Sequence, residues 1–576
     1  MWRFLRTLLA FTLAFLLAMI IGGLLLVGAL TTAGGILASR SGEKPSTPKT
    51  GWLLLSLSGE LKESETSDWP SLSWQRWLFG APEEKTPTLE EIRRALWAAQ
   101  KKSDIKGIVL RLGDLSARPA QVQQIGRWLL AYKQKTGKPI YAYGDYFTEL
   151  TYYLASYADT VILYPGSGAA VEWNGLVAEG VFFRRFLEKW GVKPRLFRTG
   201  AYKSAAENFT ETSYSPDNRT QITALLEDVW ANWIDSIARQ RGMTAESLRA
   251  WPDRYIFFSA QQAHEKRLVD MLLPWQVWVR RFIPEGKEEP EFVPAQALAK
   301  PEKASSNTQI ALLYAEGEIG PNSDLQAEEL VPLLRKALEE EKIKAVVLRV
   351  HSPGGAVLDS DKIARAVKEL RTKKPVIVSM GGVAASGGYY ISALADKIVA
   401  EPTTITGSIG VIGLLFEVKG LLEKELSLTT DRIRVGGQYA DFLSPYREAT
   451  PQETDRLQAE IDHIYEEFLQ VVKEGRRYPS REAVHSIAQG RVWSGQDALT
   501  HGLVDTLGGL EAALTLAAQA AHLTDYEVVT LPEPEPLFQK WIKKLQSHAA
   551  SLGFFQASHA NLPEIFQARW IEFNLY

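Results

Sequence analysis

The chain has 576 residues and a formal net charge of −3, so it is long enough for more than one domain and carries no charge excess that would favour nucleic acid as a partner. It contains no cysteine, which excludes disulfides, thiol catalysis and thiolate metal sites. Its eight histidines form no HExxH pattern and no tight pair, and we expect neither a metal nor a cofactor.

The N-terminal segment is predicted to anchor the chain in a membrane. Residues 1–6 carry two arginines, and residues 7–32 carry no charge. An uncharged apolar run of more than about 20 residues can cross a bilayer, whereas the apolar core of a secretion signal has about 7–15 residues. We interpret 7–32 as one transmembrane helix of the inner (cytoplasmic) membrane, with 1–6 in the cytoplasm, 33–50 as a linker, and the bulk of the chain on the outer, periplasmic side. Cleavage of a signal peptide near 31–38 is the alternative.

Two copies of one α/β unit follow, offset by 237 residues at the matching tyrosines Tyr152 and Tyr389. Four pairs of segments match between the copies: 52–61 with 310–319, 105–112 with 343–350, 138–143 with 374–379, and 152–159 with 389–396. The predicted helices between the strand-like runs include 89–101, 122–135, 330–341 and 360–371. This alternation indicates an α/β fold with parallel sheets and crossover helices, present in tandem duplicate.

The duplication sets the predicted domain organisation. The first repeat spans 51–283 and the second spans 310–525. Between them, 284–309 is rich in Pro, Glu, Lys, Ala and Ser and has no periodicity, which predicts a linker. The C-terminal tail, 526–576, alternates basic and aromatic residues without a clear fold, and its role stays open.

Ser386 is predicted to lie where a strand turns into a helix. Residues 375–380 have the character of a short buried strand, and 389–396 has the apolar spacing of a helix. Glycines on both sides allow a sharp turn and the close approach of a substrate, and free N–H groups at the helix start would face a negative charge beside Ser386. This combination is typical of a nucleophilic serine. A small-residue turn that packs a strand on a helix is the alternative.

A nucleophilic serine also needs a base within hydrogen-bond reach, and the glycine-rich loop offers none. His351 ends a buried strand with no obvious carboxylate to orient it, which favours a structural role. Lys203 follows a strand-like run and a glycine turn in the first copy, at a place where the second copy has 436–440 and no lysine. Conversely, Ser386 corresponds to Glu149 of the first copy. This complementarity predicts that the copies share one site, with the lysine from one and the serine from the other.

Four motifs together form a specific signature. They are Gly200-Ala-Tyr-Lys203-Ser-Ala205, Ser352-Pro-Gly-Gly355, Ala384-Ala-Ser386-Gly-Gly-Tyr389 and Thr406-Gly-Ser408-Ile-Gly410. From the predicted anchor to about Leu507, the chain resembles the long, tandem-repeat form of the signal peptide peptidase A family, also called protease IV. The resemblance implies Clp-protease and crotonase-like units, with Ser386 as nucleophile and Lys203 as general base. It also implies a bowl-like homotetramer and remnant signal peptides as substrates.

Further groups are expected to support peptide hydrolysis through an acyl-enzyme. Ser408 could orient the lysine amine, although a plain Thr/Ser turn would account for the same loop. Backbone N–H groups of Gly387, and of Gly354 or Gly355, are expected to hold the oxyanion. Apolar peptides are the expected substrates, because the site would face a cavity near a membrane. Two other functions stay open: a crotonase-like acyl-CoA enzyme, and an inactive membrane scaffold that only oligomerises.

Overall fold

The computed structural model describes residues 50–64, 86–299 and 306–532, together with the backbone of 574–575. The predicted anchor at 7–32 lies outside these residues, as does nearly all of the linker at 33–50. Within the described residues, every helix is too short or too polar to span a bilayer.

The strands of the first repeat are Gly51–Glu60 (β1), Ile105–Ser116 (β2), Ile140–Gly144 (β3), Thr160–Leu163 (β4), Ala170–Val171 (β5), Lys193–Thr199 (β6), Phe258–Ser259 (β7), Met271–Leu272 (β8) and Phe292–Pro294 (β9). Six of them build a sheet whose strands are all parallel, in the order β9-β1-β2-β3-β4-β8. The helices are Leu89–Lys101, Pro119–Thr136, Glu149–Ala155, Arg184–Lys189, Glu207–Thr210, Pro216–Arg241, Ala245–Ala250, Ala260–Glu265, Trp275–Trp278 and Ala295–Leu298, with a 3₁₀ turn at Val279–Phe282.

The strands of the second repeat and the tail are Gln309–Glu316 (β10), Ile343–Ser352 (β11), Gly355–Ala356 (β12), Val376–Ala385 (β13), Lys397–Ala400 (β14), Ile405–Gly407 (β15), Val411–Glu417 (β16), Val492–Ser494 (β17), Thr506–Leu507 (β18), Glu527–Leu531 (β19) and Asn574–Leu575 (β20). Six of them build the same parallel core, in the order β19-β10-β11-β13-β14-β18. Its helices are Ala327–Glu339, Val357–Arg371, Gly387–Ala393, Pro451–Arg476, Arg481–His485, Gly495–Thr500 and Leu510–Ala520, with a π-helical turn at Leu421–Glu425. The matching strand orders confirm the predicted α/β fold with duplicated parallel sheets.

The central strands are apolar on both faces, as parallel strands covered by helices on both sides must be. In β11, residues 345–350 are all buried, and all of them except Arg349 are apolar. Leu348 and Val350 pack in the core of the second repeat, whereas Val347 lies in a core that contains Leu53 of the first repeat. The two repeats are therefore joined by a continuous apolar core rather than by a linker alone.

A second junction is an antiparallel strand pair, which we call the seam. β6 of the first repeat pairs with β16 of the second, and Leu196 lies opposite Leu414. The helix Pro451–Arg476 packs across both strands of the seam. The seam brings the loop after β6 to the second repeat, and this positions the candidate site.

Two predicted boundaries differ from the structure. The segment 284–309, expected to be a linker between the repeats, contains β9, which pairs with Trp52–Leu54 of β1. The tail 526–576 begins with β19, which pairs with β10 in the equivalent place. Strands of three and five residues carry too few residues to show a periodicity, so their pairing partners define them. Most of the tail lies outside the described residues.

Candidate active site

Lys203 and Ser386 meet beside the seam. Lys203 Nζ lies 2.8 Å from Ser386 Oγ, and both residues are buried, with exposed fractions of 1% and 0%. The lysine comes from the loop after β6 in the first repeat, and the serine follows β13 in the second. The chain thus joins an amine from one repeat with a hydroxyl from the other.

The backbone at Ser386 makes the turn from β13 into the next helix with a positive φ of 56° and a ψ of −117°. Non-glycine residues rarely adopt positive φ, and strained residues of this kind cluster at functional sites. A Cβ on Gly387 would lie 2.7 Å from Ser360 Oγ, and one on Gly388 would lie 2.6 Å from the Ser352 carbonyl oxygen. The two glycines therefore let the helix start approach the neighbouring elements closely.

The loop that carries Lys203 is held against the second repeat. Gly200 turns with φ of 104°, and a Cβ there would lie 2.3 Å from the carbonyl carbon of Gln489. The Tyr202 N–H donates to the Gln489 carbonyl oxygen at 2.9 Å. A Cβ on Gly490 would lie 2.5 Å from Lys203 Cβ. The lysine can reach the serine because the second repeat has no side chain at Gly490.

The Lys203 amine sits among hydroxyl and carbonyl oxygens. Besides Ser386 Oγ, its Nζ lies 3.1 Å from Ser408 Oγ and 3.1 Å from the Ser408 carbonyl oxygen. Burial lowers the pKa of Lys203 well below its usual value, because an ammonium ion loses its hydration there. The neutral amine is therefore favoured, and a neutral amine can accept the proton of the Ser386 hydroxyl.

The three glycines expected to hold an oxyanion lie beside Ser386. A Cβ on Gly387 would lie 3.2 Å from both Gly354 Cα and Gly355 N. Gly387 begins a helix, and the N–H groups of a first helical turn have no acceptor within the helix. The Gly354 N–H instead donates to Ser352 Oγ at 3.2 Å. Gly387 is thus better suited than Gly354 to stabilise a developing negative charge.

The short strand β20 of the C-terminal tail lies next to these glycines. β20 runs antiparallel to Gly355–Ala356, and its Asn574 also pairs with Ile412 of β16. Together the strands form a sheet in the order β12-β20-β16-β6. The chain's own strand β20 thus occupies the place between β12 and β16 in β conformation.

His351 takes no part in the contact between Lys203 and Ser386. Its Nδ1 lies 3.1 Å from the Gly382 nitrogen and 3.1 Å from Glu63 Oε1. The expectation that no carboxylate accompanies His351 is wrong, because Glu63 reaches it from the first repeat. No local spacing reveals this contact, which depends on how the repeats pack.

The equivalent place in the first repeat has different chemistry. Glu149 begins a helix capped by Thr148, and its Oε1 accepts a hydrogen bond from the Asn174 N–H at 3.1 Å. Burial raises the pKa of Glu149. Ala440, which matches Lys203, is exposed. Within the described residues, the repeats therefore form one lysine–serine contact and not two.

Gln221 is a further site residue that the sequence does not reveal. Its Nε2 donates to the Tyr202 carbonyl oxygen at 3.1 Å and to Ser204 Oγ at 2.9 Å, on either side of Lys203. Its Oε1 accepts from the Val492 N–H at 3.1 Å. Gln221 thus ties the lysine loop to the second repeat. In the sequence it is one polar residue among many on an amphipathic helix.

The part of the chain that the structure describes was expected to hold no metal, and its carboxylates and histidines are dispersed. No group of three or more His, Asp or Glu side chains there is arranged to hold a metal ion. Two surface cavities of about 380 and 130 Å³ are lined mainly by charged residues. Neither cavity is lined by Lys203 or Ser386.

Known proteins resemble this chain over most of its length. The model of Peptidase family S49 matches residues 132–282 and again 368–524, and a Clp protease model matches 303–404. Protease 4 of Haemophilus influenzae is 31% identical over 518 residues, which cover 84% of this chain and 82% of that protein. Protease 4 of Salmonella typhi is 32% identical, with coverage of 79% and 75%. The chloroplastic serine protease SPPA of Arabidopsis thaliana is 32% identical, with coverage of 74% and 65%.

The two family matches fall on the two repeats, so that Lys203 lies in the first match and Ser386 in the second. Together they cover more than half of the chain, and the two Protease 4 relatives match 84% and 79% of it. The chain therefore belongs to Peptidase family S49 and is a protease of the signal peptide peptidase A type.

Proposed function

We propose that the chain is a serine endopeptidase with Ser386 as nucleophile and Lys203 as general base. The observation that carries this proposal is the 2.8 Å separation of Lys203 Nζ from Ser386 Oγ, in a site where burial lowers the lysine pKa. A serine hydroxyl attacks only when a base removes its proton, and a neutral amine at this distance can do so. Family membership favours a peptide carbonyl over an acyl-CoA thioester as the group attacked, and a catalytic role over that of an inactive scaffold.

The reaction begins when Ser386 Oγ attacks the peptide carbonyl carbon while Lys203 Nζ takes the hydroxyl proton. The carbonyl oxygen becomes an oxyanion, which the Gly387 N–H and the neighbouring Gly355 N–H would stabilise. The lysine ammonium then gives its proton to the leaving amine, and an acyl ester on Ser386 remains. Water attacks this ester, Lys203 takes a proton from the water, and the proton returns to Ser386 as the carboxylic acid product leaves.

Ser408 is proposed to orient the lysine amine. Its Oγ and carbonyl oxygen both lie 3.1 Å from Lys203 Nζ, which also contacts Ser386 Oγ. Two fixed contacts restrict the amine to positions from which its lone pair can face the serine hydroxyl. The amine would then be aligned before a substrate arrives.

The proposed substrates are apolar peptides, including remnant signal peptides, bound in extended form between β12 and β16. The uncharged run at 7–32 is proposed to anchor the chain in the inner membrane, with the site on the periplasmic side. A homotetramer is proposed on the family resemblance. Removal of 7–32 should release the chain from washed membranes, and a truncated chain that still sediments with them would contradict the anchor. Preferential cleavage of charged peptides would contradict the proposed substrate class.

Separate Ser386→Ala and Lys203→Ala variants test the chemistry. Each is expected to lower kcat for an apolar peptide amide by at least about 10³-fold, because the attacking oxygen or its base is lost. The oxyanion site and substrate binding would remain and would account for any residual activity. Glu149→Ala alters the matching position of the first repeat and should keep normal activity. A serine-reactive phosphonate should label the natural chain and not the Ser386→Ala variant. Full activity in either dyad variant, with thermal unfolding unchanged, would rule the proposal out.

A further inference from the structure

A tight turn in the second repeat contacts both of the loops that surround the buried lysine amine. We call residues 488–492 the clamp turn. The Tyr202 N–H of the lysine loop donates to the Gln489 carbonyl oxygen of this turn at 2.9 Å. The Ser408 N–H donates to the Arg491 carbonyl oxygen of the same turn at 2.7 Å. The clamp turn therefore joins the lysine loop of the first repeat to the Ser408 loop of the second.

The backbone of the clamp turn is strained. Its two central residues, Gln489 and Gly490, have φ of 53° and 77°. The Arg491 N–H closes the turn by donating to the Ala488 carbonyl oxygen at 2.9 Å. Positive φ at both central positions is the pattern of a type I′ turn, which favours glycine, asparagine and aspartate over glutamine. Because such strain persists only where neighbouring contacts hold it, the turn needs side chains that fix it in place.

The Arg491 guanidinium lies beside aromatic rings of both repeats. Its Cζ is 4.0 Å from the ring centroid of Trp493 in the second repeat and 5.1 Å from that of Tyr202 in the first. The Trp493 ring is itself fixed, because its Nε1 donates to the Ile487 carbonyl oxygen at 2.9 Å. Arg491 Nε is buried and has no hydrogen-bond partner in the described part of the chain. Cation–π attraction to the two rings is thus what the structure offers this guanidinium in place of a hydrogen bond at Nε.

The arginine of the clamp turn occurs in one copy of the duplicated unit only. Leu-Val-Asp at 268–270 matches Leu-Val-Asp at 503–505, an offset of 235 residues that places Ile256 at the position of Arg491. The lysine loop is also present twice, and its second copy has Ala440 in place of the lysine. The chain therefore carries both elements in duplicate but the arginine and the lysine once each. This is expected of an arginine that serves the lysine rather than the shared fold.

We propose that Arg491 is a positioning residue for Lys203, which it holds within reach of Ser386 through its contact with the Tyr202 ring. The inference rests on the proposed function, because it requires the Lys203 amine to be the base. Tyr202 directly precedes Lys203, so the lysine loop can leave the clamp turn only if this ring leaves the guanidinium. A shift of about 1 Å in a reacting group can lower a rate about 10²-fold, so the contact should act on kcat.

A planar guanidinium suits this contact better than an ammonium. Guanidinium groups stack flat on aromatic faces, whereas the ammonium of lysine is a compact and strongly hydrated charge. Arg491→Lys should therefore keep part of the positioning effect, and Arg491→Met should keep the least. On the other side of the contact, Tyr202→Phe keeps the aromatic face, whereas Tyr202→Leu removes it.

Steady-state kinetics on an apolar peptide amide tests the contact. Arg491→Met should lower kcat by about 10- to 100-fold with KM within about 2-fold, and Arg491→Lys should fall between this variant and the natural chain. Tyr202→Phe should keep kcat, whereas Tyr202→Leu should match Arg491→Met. Because both side chains act through one contact, the double variant Tyr202→Leu/Arg491→Met should lose at most about 3-fold more than either single variant.

The pH profile provides a readout that a loss of stability alone would not change. If the lysine loop is no longer held, water reaches the Lys203 amine and its pKa rises toward the ordinary value. In Arg491→Met, the rise of kcat/KM with pH should therefore move up by about 1 pH unit. Arg111→Met is the matched control, because Arg111 Cζ lies 5.0 Å from the Trp275 ring centroid, away from the lysine loop. It should leave kcat and the pH profile unchanged.

The outcomes separate this inference from the proposed function. Normal kcat and an unshifted pH profile in Arg491→Met, together with an inactive Lys203→Ala, would overturn the inference and leave the proposed function intact. Full activity of Lys203→Ala would overturn both. If Arg491→Met does not fold, Tyr202→Leu decides, and normal kcat in that variant would overturn the inference. Fully additive losses in the double variant would also overturn it, since the two side chains would then act independently.

Discussion

Lys203 Nζ lies 2.8 Å from Ser386 Oγ, although 183 positions in sequence separate the two residues and they belong to different repeats. The contact depends on the seam, because β6 leads directly into the lysine loop. Neither repeat alone contains both groups. Changes that disturb the seam should therefore affect catalysis without removing either reacting group.

The pH dependence of activity should report the lowered pKa of Lys203. Only the neutral amine can accept the Ser386 proton, so kcat/KM should rise with pH through the lysine pKa and then level off. Because burial lowers that pKa, the plateau should begin well below the usual lysine value of about 10.4. A kcat/KM profile on an uncharged peptide substrate measures it. A plateau reached only above about pH 10 would show that the pKa of Lys203 is not lowered.

Replacing Lys203 by methionine should abolish activity and stabilise the fold. Between the lowered folded pKa and the ordinary unfolded pKa, the unfolded chain binds more protons, so the free energy of unfolding of the natural chain rises with pH in that window. Lys203→Met removes this pH dependence, and its free energy of unfolding near neutral pH should exceed that of the natural chain by on the order of 1 kcal/mol. Urea unfolding at several pH values measures both effects. Equal pH slopes for the two proteins would contradict the depressed pKa.

The Ser408 hydroxyl should contribute to catalysis rather than to substrate binding. Ser408→Ala removes one of the two Ser408 oxygens that contact Lys203 Nζ and leaves the carbonyl oxygen in place. Loss of one such hydrogen bond, worth about 1.4 kcal/mol, should lower kcat about 10-fold with little change in KM. Ser408→Gly is the matched control, since glycine relieves the positive φ of 50°. An equal loss in both variants assigns the effect to the hydroxyl, and normal activity in both would contradict the role.

The features of the site that depend on local sequence could be predicted, whereas those that depend on how the two repeats pack could not. The strand before Ser386 and the glycines after it are apparent from apolar runs and residue spacing. The strand expected at 375–380 continues to Ala385, however, and the helix expected at 389–396 spans Gly387–Ala393. Lys203 could be singled out because the duplication allows the two copies to be compared. Glu63 and Gln221 could not, because their roles depend on contacts across the repeats that leave no periodic signal.

The buried ion pair between Glu63 and Arg349 should be a main support of the packing between repeats. Arg349 Nε lies 2.9 Å from Glu63 Oε2, and each side chain is 1% exposed. Burial alone would raise the pKa of Glu63. Arg349 and His351 lower that pKa by more than burial raises it, so it lies well below the usual range. The pair is therefore fully formed above about pH 5, and its contribution is lost as the pH falls through the lowered pKa of Glu63.

Glu63→Leu should lower the free energy of unfolding by about 3–5 kcal/mol, because it leaves the Arg349 charge buried without its partner. The double variant Glu63→Leu/Arg349→Met should be more stable than the single variant, since no unpaired charge remains. Chemical denaturation of the three proteins at neutral pH measures this coupling. A double variant that is less stable than Glu63→Leu would show that Arg349 is held mainly by its other contacts, Ser379 Oγ and the Met380 carbonyl oxygen.

Gln221 should act as a positioning residue for Lys203. Gln221→Leu removes the hydrogen bonds to Tyr202 and Ser204 and the one from Val492, so the lysine loop loses its tie to the second repeat. A small displacement of a reacting group is enough to lower kcat by about 10- to 100-fold, and KM should stay nearly constant. Steady-state kinetics on a peptide amide measures the separation of kcat from KM.

A second buried glutamine provides the control for a purely structural effect of Gln221→Leu. Gln123 bridges the repeats by donating to Asn232 Oδ1 at 3.0 Å and accepting from the Thr403 hydroxyl at 3.1 Å, and it makes no contact with the lysine loop. Gln123→Leu should destabilise the fold by a comparable 1–3 kcal/mol, the approximate cost of leaving buried polar groups unpaired, yet keep kcat. If both variants lose kcat in proportion to their loss of stability, Gln221 supports the fold and does not position the amine.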